Sequence, residues 1–160
     1  MEMFINGKDI LLKPINQGNL FLLKQWYEQV DSYGFATGGK SVKDILPVDE
    51  NSFILGIFIT PENKCIGVIS GDFKQAKQPV LWIKTFMIDA VWQRKRYGTL
   101  SFNILCDYAS QQFGIKCVYI SVSKENLAGI AFWNKMGMNC IKVIPRGEPL
   151  SSILIFEKVI

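Results

Sequence analysis

Apolar side chains recur at helical spacing over residues 19–30, where Leu20, Leu23, Tyr27 and Val30 share one face. They do so again over residues 97–113, where Leu100, Ile104, Leu105, Tyr108 and Phe113 form one stripe and Gly114 is placed to end the helix. The period shortens between these two stretches. Residues 52–60 are apolar on both alternating faces, which predicts a strand covered on both sides. The turn Pro61-Glu62-Asn63-Lys64 leads into a strand at 65–73, and residues 74–79 lead into another at 80–88, so an antiparallel meander is expected. A first strand is read at 9–13, stopped by Pro14; residues 32–39, rich in Gly and small side chains, read as loosened chain, with a short helix within 41–46. After the long helix come a buried strand at 117–122, a helix capped by Asn126 and ending near Gly137, and a closing hairpin of 139–144 with 151–159. The order is β, one or two α, three β, α, β, α, β, β: a mixed α/β sheet with one βαβ crossover.

Composition narrows the chemistry. At 160 residues and 49% hydrophobic content, one domain spanning 1–160 is expected, with ample material for a core. The longest apolar run, 53–59, is strand-sized, so no membrane span is predicted, and the first residues carry no secretion signal, which makes the cytoplasm the expected compartment. Cys65, Cys106, Cys117 and Cys140 are scattered without a CxxC pair and read as reduced core residues. Histidine is absent, so zinc ligation and proton transfer by imidazole are excluded. The net charge of +4 is too mild for a nucleic-acid footprint, but cations concentrate at Arg94-Lys95-Arg96.

That basic run lies in Ile88-Asp89-Ala90-Val91-Trp92-Gln93-Arg94-Lys95-Arg96-Tyr97-Gly98-Thr99, between a predicted strand and the long helix. Free N–H groups at a helix start, the favourable dipole end and cationic side chains are what a phosphate group needs, and Gly98 allows close backbone approach. A solvated charged turn with an ordinary glycine is the competing reading. Neither GxxxxGK[ST] nor GxGxxG is present.

The segment resembles the Gln/Arg-x-x-Gly-x-Gly/Ala signature of the GCN5-related N-acetyltransferase (GNAT) superfamily, with Gln93 and Gly98 at its ends and Arg96 in place of the first glycine. Downstream, residues 126–138 are similar to that family's Asn-x-x-Ala-x-x-Leu-Tyr-Glu-Lys-Leu-Gly-Phe block, matched outright at Asn126, Lys135 and Gly137. The resemblance implies a mostly antiparallel twisted sheet of about seven strands with about four helices, in which the family's fourth and fifth strands, here 80–88 and 117–122, splay apart. It implies binding of acetyl-CoA as cosubstrate, without a metal. The pantetheine arm would bond to backbone groups of Phe86, Met87 and Ile88. The pyrophosphate would sit on the amides of Arg94, Lys95, Arg96, Tyr97, Gly98 and Thr99, with Gln93 also in the cofactor site and Asn126, Phe132, Trp133 and Lys135 on the other side.

The activity implied is N-acetylation of a primary amine by direct attack on the thioester, with a backbone N–H near Ile88 as oxyanion donor. Family members often place a tyrosine as general acid where this chain has Trp133, and an indole is too weak an acid. Tyr119, Ser121 or water would then serve, or the thiolate leaves unprotonated. Bases in the family come from inward positions of the fourth strand, here Trp82 and Lys84; Lys84 also reads as a strand-edge residue reaching solvent. Asp72 and Glu148 are further candidates that also read as turn-solvating carboxylates, and Asp89 reads as a structural hydrogen-bond partner of the loop. The aromatic residues Trp26, Tyr27, Tyr33 and Phe35 are expected near the acceptor side. Similarity of residues 82–98 to a polyamine acetyltransferase subgroup is offset by the cation at Lys84. The acceptor is therefore a small-molecule or peptide amine, and the protein a monomer or homodimer without nucleic-acid or membrane partners. A non-catalytic acyl-CoA sensor is the alternative, and nucleic-acid binding through residues 94–96 a weaker third.

Overall fold

The computed structural model describes residues 2–47, 49–75 and 77–160. Its strands are β1 (Ile5–Asn6), β2 (Ile10–Pro14), β3 (Ser52–Ile59), β4 (Lys64–Lys74), β5 (Val80–Ile88), β6 (Cys117–Ser123), β7 (Asn139–Ile144) and β8 (Ile153–Val159). The helices are α1 (Lys24–Tyr27), α2 (Val30–Thr37), α3 (Tyr97–Phe113) and α4 (Leu127–Lys135). The eight strands form one sheet in the order β1-β2-β3-β4-β5-β6-β8-β7. Every neighbouring pair is antiparallel except β5 with β6, which α3 connects as a crossover.

Alternation along the strands sorts the core onto two faces. In β3, Phe53, Leu55, Ile57 and Ile59 pack with Phe102, Leu105 and Ala109 of α3 and with Trp133 of α4. Ile54 and Phe58 point the other way, into a smaller core with Leu23, Trp26, Tyr27 and Tyr33. All eight residues of β3 are therefore buried, as its two-sided apolar pattern demands.

Three local expectations change. Pro14 pairs with Leu55 as the last residue of β2 and does not stop the strand before it; a proline closing a strand has no further ladder bond to donate. The helix expected over 19–30 is broken into a 3₁₀ turn at Leu20–Leu23, α1, and a new start at Val30, because Gln29 leaves helical backbone geometry (φ −103°, ψ 70°). The Gly-containing stretch after it is helix α2, not loosened chain: Tyr33 and Thr37 are buried, and Gly38 ends it in the left-handed region (φ 65°). Among the cysteines, Cys65 and Cys106 are core residues, whereas Cys117 is half-buried and Cys140 is exposed on β7.

Candidate active site

The ladder between β5 and β6 runs from Val80↔Cys117 to Ile83↔Ile120 and stops there, while β5 continues for five more residues against β4. A β-bulge marks the point of departure. Ser70 pairs with Thr85 and Gly71 with Ile83, so Lys84 is the extra residue on β5. The insertion reverses the alternation: Leu81 and Ile83 face the α3–α4 core before it, Phe86 and Ile88 after it. It also bends β5 away from β6, leaving the last five residues of β5 with one unpaired edge.

The direction of the main-chain groups along that edge follows from one bond. Asp89 N–H donates to Ile66 O at 2.7 Å, and Ile88 stands opposite Gly67, so Ile88 and Gly67 form a non-hydrogen-bonded pair. Met87 therefore turns its main-chain groups toward β4, and Phe86 and Ile88 turn theirs into the gap beside β6. Of the three residues expected to line the gap with backbone donors and acceptors, Met87 is the exception; its side chain belongs to the smaller core. The Ile88 carbonyl is occupied, accepting from Gln93 Nε2 at 2.8 Å.

Beyond β5 the chain makes a 3₁₀ turn at Ala90–Trp92, capped by Asp89, whose Oδ1 accepts from Val91 N–H at 2.9 Å. Arg94 and Arg96 then both adopt left-handed backbone (φ 62° and 71°). Arg96 is the N-cap of α3, offers no side-chain cap, and no acidic residue lies in the helix's first turn. The N–H groups of Tyr97, Gly98 and Thr99 consequently have no intrahelical acceptor, beside Arg94, Lys95 and Arg96, all exposed. The family resemblance has glycine at the Arg96 position, and the positive φ supplies the reason. At Gly98 the constraint is packing: a Cβ there would press on Phe132 Cε1 at 3.2 Å, a contact the ring must yield to by a few tenths of an ångström.

On the far side, Asn126 Oδ1 caps α4 by accepting from Gly129 N–H at 2.9 Å. Phe132 meets Phe86 with ring centroids 5.5 Å apart, and Lys135 is exposed. Trp133 does not face the gap. It is 4% exposed and packed edge-on against Phe86, Phe102 and Phe132, so it supports the aromatic wall from behind.

The opposite face of the sheet carries a row of Cα partners across six strands, Ser52, Asp72, Trp82, Tyr119, Glu157 and Asn139. Asp72 is a strand residue and does not solvate a turn: its carboxylate accepts from Ser52 Oγ at 2.6 Å and pairs with Lys84 Nζ at 2.8 Å. Burial raises its pKa, but Lys84 and Ser52 outweigh burial and hold it below the ordinary value. Lys84 is thus half-exposed and ion-paired, an arrangement unlike that of a desolvated basic amine. Trp82 stacks on Tyr119 at 5.1 Å, and Tyr119 donates its hydroxyl to Glu157 Oε2 at 2.6 Å. That bond, with burial added, pushes the Tyr119 pKa up to about 12. A phenol so held is a poor proton donor to a thiolate, whose thiol ionises near ~8.5.

Sequence reasoning missed Glu157, because pairing it with Tyr119 requires the β6–β8 register, which alternation alone does not supply. Glu148 lies exposed in the β7–β8 loop and is not brought to these groups by any hydrogen bond or ion pair among the described residues. Trp26, Tyr27 and Tyr33, expected beside the acceptor, are buried in the smaller core; Phe35 is exposed.

The profile of the acetyltransferase (GNAT) family matches residues 21–138. The chain belongs to the GNAT family. Solved GNAT structures share its fold over nearly the whole length. An acetyltransferase from Salmonella typhimurium that modifies the N-terminal serine of ribosomal protein L7/L12 superposes with a TM-score of 0.83 at 14% identity, covering 99% of both chains. The L7/L12 alpha-N-protein acetyltransferase RimL in complex with coenzyme A gives 0.80 at 14% identity, covering 99% of this chain and 98% of its own. The microcin C7 self-immunity acetyltransferase MccE, in complex with acetyl-CoA and AMP, gives 0.76 at 20% identity, covering 96% and 94%. No curated protein matches this GNAT chain by sequence. Among the described residues, no helix is long and apolar enough to cross a membrane.

Proposed function

We propose that the protein is an N-acetyltransferase that takes its acetyl group from acetyl-CoA and delivers it to a primary amine by direct attack of that amine on the thioester. The observation carrying this reading is the gap itself. The Phe86 amide and carbonyl and the Ile88 amide face it without a strand partner, and α3 begins next to it without a side-chain cap.

The residues fit the cosubstrate. The amides of residues 97–99 and the cations Arg94, Lys95 and Arg96 match a pyrophosphate in geometry and sign. The Phe86 amide and carbonyl and the Ile88 amide match a peptide-like pantetheine arm, and Phe132 walls the opposite side. When bound, acetyl-CoA supplies an acetyl group already activated as a thioester. The Ile88 N–H is the donor for negative charge developing on the carbonyl oxygen, since a fixed amide needs little reorganisation to receive it. Gln93 holds the Ile88 carbonyl of the next peptide unit, while the Met87–Ile88 peptide that carries this N–H is fixed by the pairing of Met87 with Val68 of β4.

The acceptor approaches from the face carrying Trp82, Tyr119 and Lys84. Because Asp72 neutralises Lys84, a cationic acceptor is not repelled as the bare sequence implied, and both small-molecule and peptide amines stay within reach. Tyr119 serves through its hydrogen bond, orienting Glu157, and the thiolate leaves without a proton from it. A second reading, a non-catalytic acyl-CoA sensor, draws on the burial of Trp133, where family members often carry a tyrosine, and on the engagement of the Tyr119 hydroxyl with Glu157.

Calorimetry with acetyl-CoA and coenzyme A, followed by thiol release against a panel of amines, separates the two. Binding with turnover of at least one amine supports the enzyme. Binding without turnover of any amine supports the sensor, and absence of binding removes both.

A further inference from the structure

Two long-range hydrogen bonds join the first helices to the segment entering the cofactor loop. Trp26 Nε1 of α1 donates to Asp89 Oδ2 at 2.8 Å, and Ala90 N–H donates to Tyr33 Oη of α2 at 3.0 Å. Neither tie is incidental to packing. Trp26 is 1% exposed, so its indole N–H has no solvent alternative, and Asp89 uses its other oxygen to cap the 3₁₀ turn through Val91. One carboxylate therefore fixes the start of the loop and anchors α1. The connection onward is short: the capped turn ends at Trp92, Gln93 bonds back to Ile88, and Arg94 begins the basic stretch. α1 and α2 themselves cover the sheet face opposite α3, packing with Met87 beside the gap.

Resting on the reading above, we propose that Asp89 is a positioning residue that couples the loop holding coenzyme A to helices α1 and α2, so that occupancy of the loop orders the wall on the acceptor side. The physical argument is linkage. A ligand that restricts residues 93–99 restricts Asp89 and Ala90, and the two hydrogen bonds carry that restriction to residues 24–37. By reciprocity, loosening α1 and α2 weakens coenzyme A binding by the same factor. Asp89 has no part in proton transfer in this scheme, since both its oxygens are occupied by donors.

Hydrogen–deuterium exchange on the full chain, with and without coenzyme A, tests this. In the wild type, coenzyme A is expected to slow exchange at residues 97–100 and also at residues 24–37. Asp89→Asn leaves one amide oxygen for two donors, so either the Trp26 indole or the Val91 N–H loses its acceptor and the tie between α1 and the loop start is broken at one end, and Tyr33→Phe removes only the acceptor of Ala90 N–H. In either variant, protection at 97–100 should persist while protection at 24–37 falls, with coenzyme A affinity reduced about three- to tenfold. If Asp89→Asn does not fold, Tyr33→Phe, which deletes a single oxygen, carries the test. Wild-type protection confined to the loop, or variants with unchanged affinity and unchanged protection at 24–37, would overturn the coupling while leaving the cofactor assignment intact. No protection anywhere in the wild type would overturn the cofactor reading and the coupling with it.

Discussion

Arg96 occupies a backbone conformation (φ 71°) that disfavours any residue with a Cβ, at the position where the family resemblance has glycine. A non-glycine residue in left-handed geometry costs roughly 1–2 kcal/mol. Glycine returns about 0.5–1 kcal/mol of this through the greater freedom of the unfolded chain. Arg96→Gly should therefore stabilise the fold by about 0.5–1 kcal/mol, which for a domain of this size is a rise in Tm of roughly 1–4 °C. The same change deletes a guanidinium beside the uncapped start of α3. A hydrogen bond to a charged group contributes about 1.5–3 kcal/mol, so coenzyme A affinity should drop roughly 10- to 100-fold. Thermal unfolding without ligand gives the first quantity and calorimetric titration with coenzyme A the second. Stability and affinity are expected to move in opposite directions. A lower Tm would refute the conformational argument, and an unchanged affinity would refute the placement of the pyrophosphate.

Other outcomes follow from the same geometry. Asp72, held below the ordinary carboxylate range, contributes stability that is present above about pH 4 and is lost as pH falls through its folded value; Asp72→Asn should flatten the acid limb of stability measured by denaturant titration between pH 2 and 5. Burial pushes the Cys65 thiol up to about 11 and that of Cys106 to about 12, so at pH 8 a thiol-specific reagent should modify exposed Cys140 first and these two only on unfolding. Tyr119→Phe removes the hydroxyl donated to Glu157; if Tyr119 is not the acid, turnover should fall less than tenfold with the shape of its pH profile unchanged. Glu148→Gln, in the exposed loop, should leave turnover within twofold of wild type.

The long elements were legible because their apolar patterns are strong and their punctuation is local. Gly114 ends α3 in left-handed geometry, Asn126 caps α4, and the two-sided run at 52–59 reports burial on both faces. The basic loop could be read as an anion site because helix-start chemistry depends on residues adjacent in sequence. What stayed hidden depends on register. The bulge at Lys84 appears only when β5 is set against β4, and without it the alternation places Trp82 and Lys84 on one face and says nothing of where β5 leaves β6. Glu157 meets Tyr119 across 38 residues and Trp26 meets Asp89 across 63, distances that no local pattern spans. Trp133 differs for a related reason: its position in a motif suggests a ligand-facing role, whereas the packing of α4 on α3 turns the ring against Phe102.

A crystal structure of the protein with coenzyme A tests the central claim most directly. The account predicts pyrophosphate density on the amides of residues 97–99 and pantetheine density bonded to Phe86 and Ile88, with Met87 making no main-chain contact. Coenzyme A seated elsewhere, with the end of β5 zipped onto β6, would contradict it.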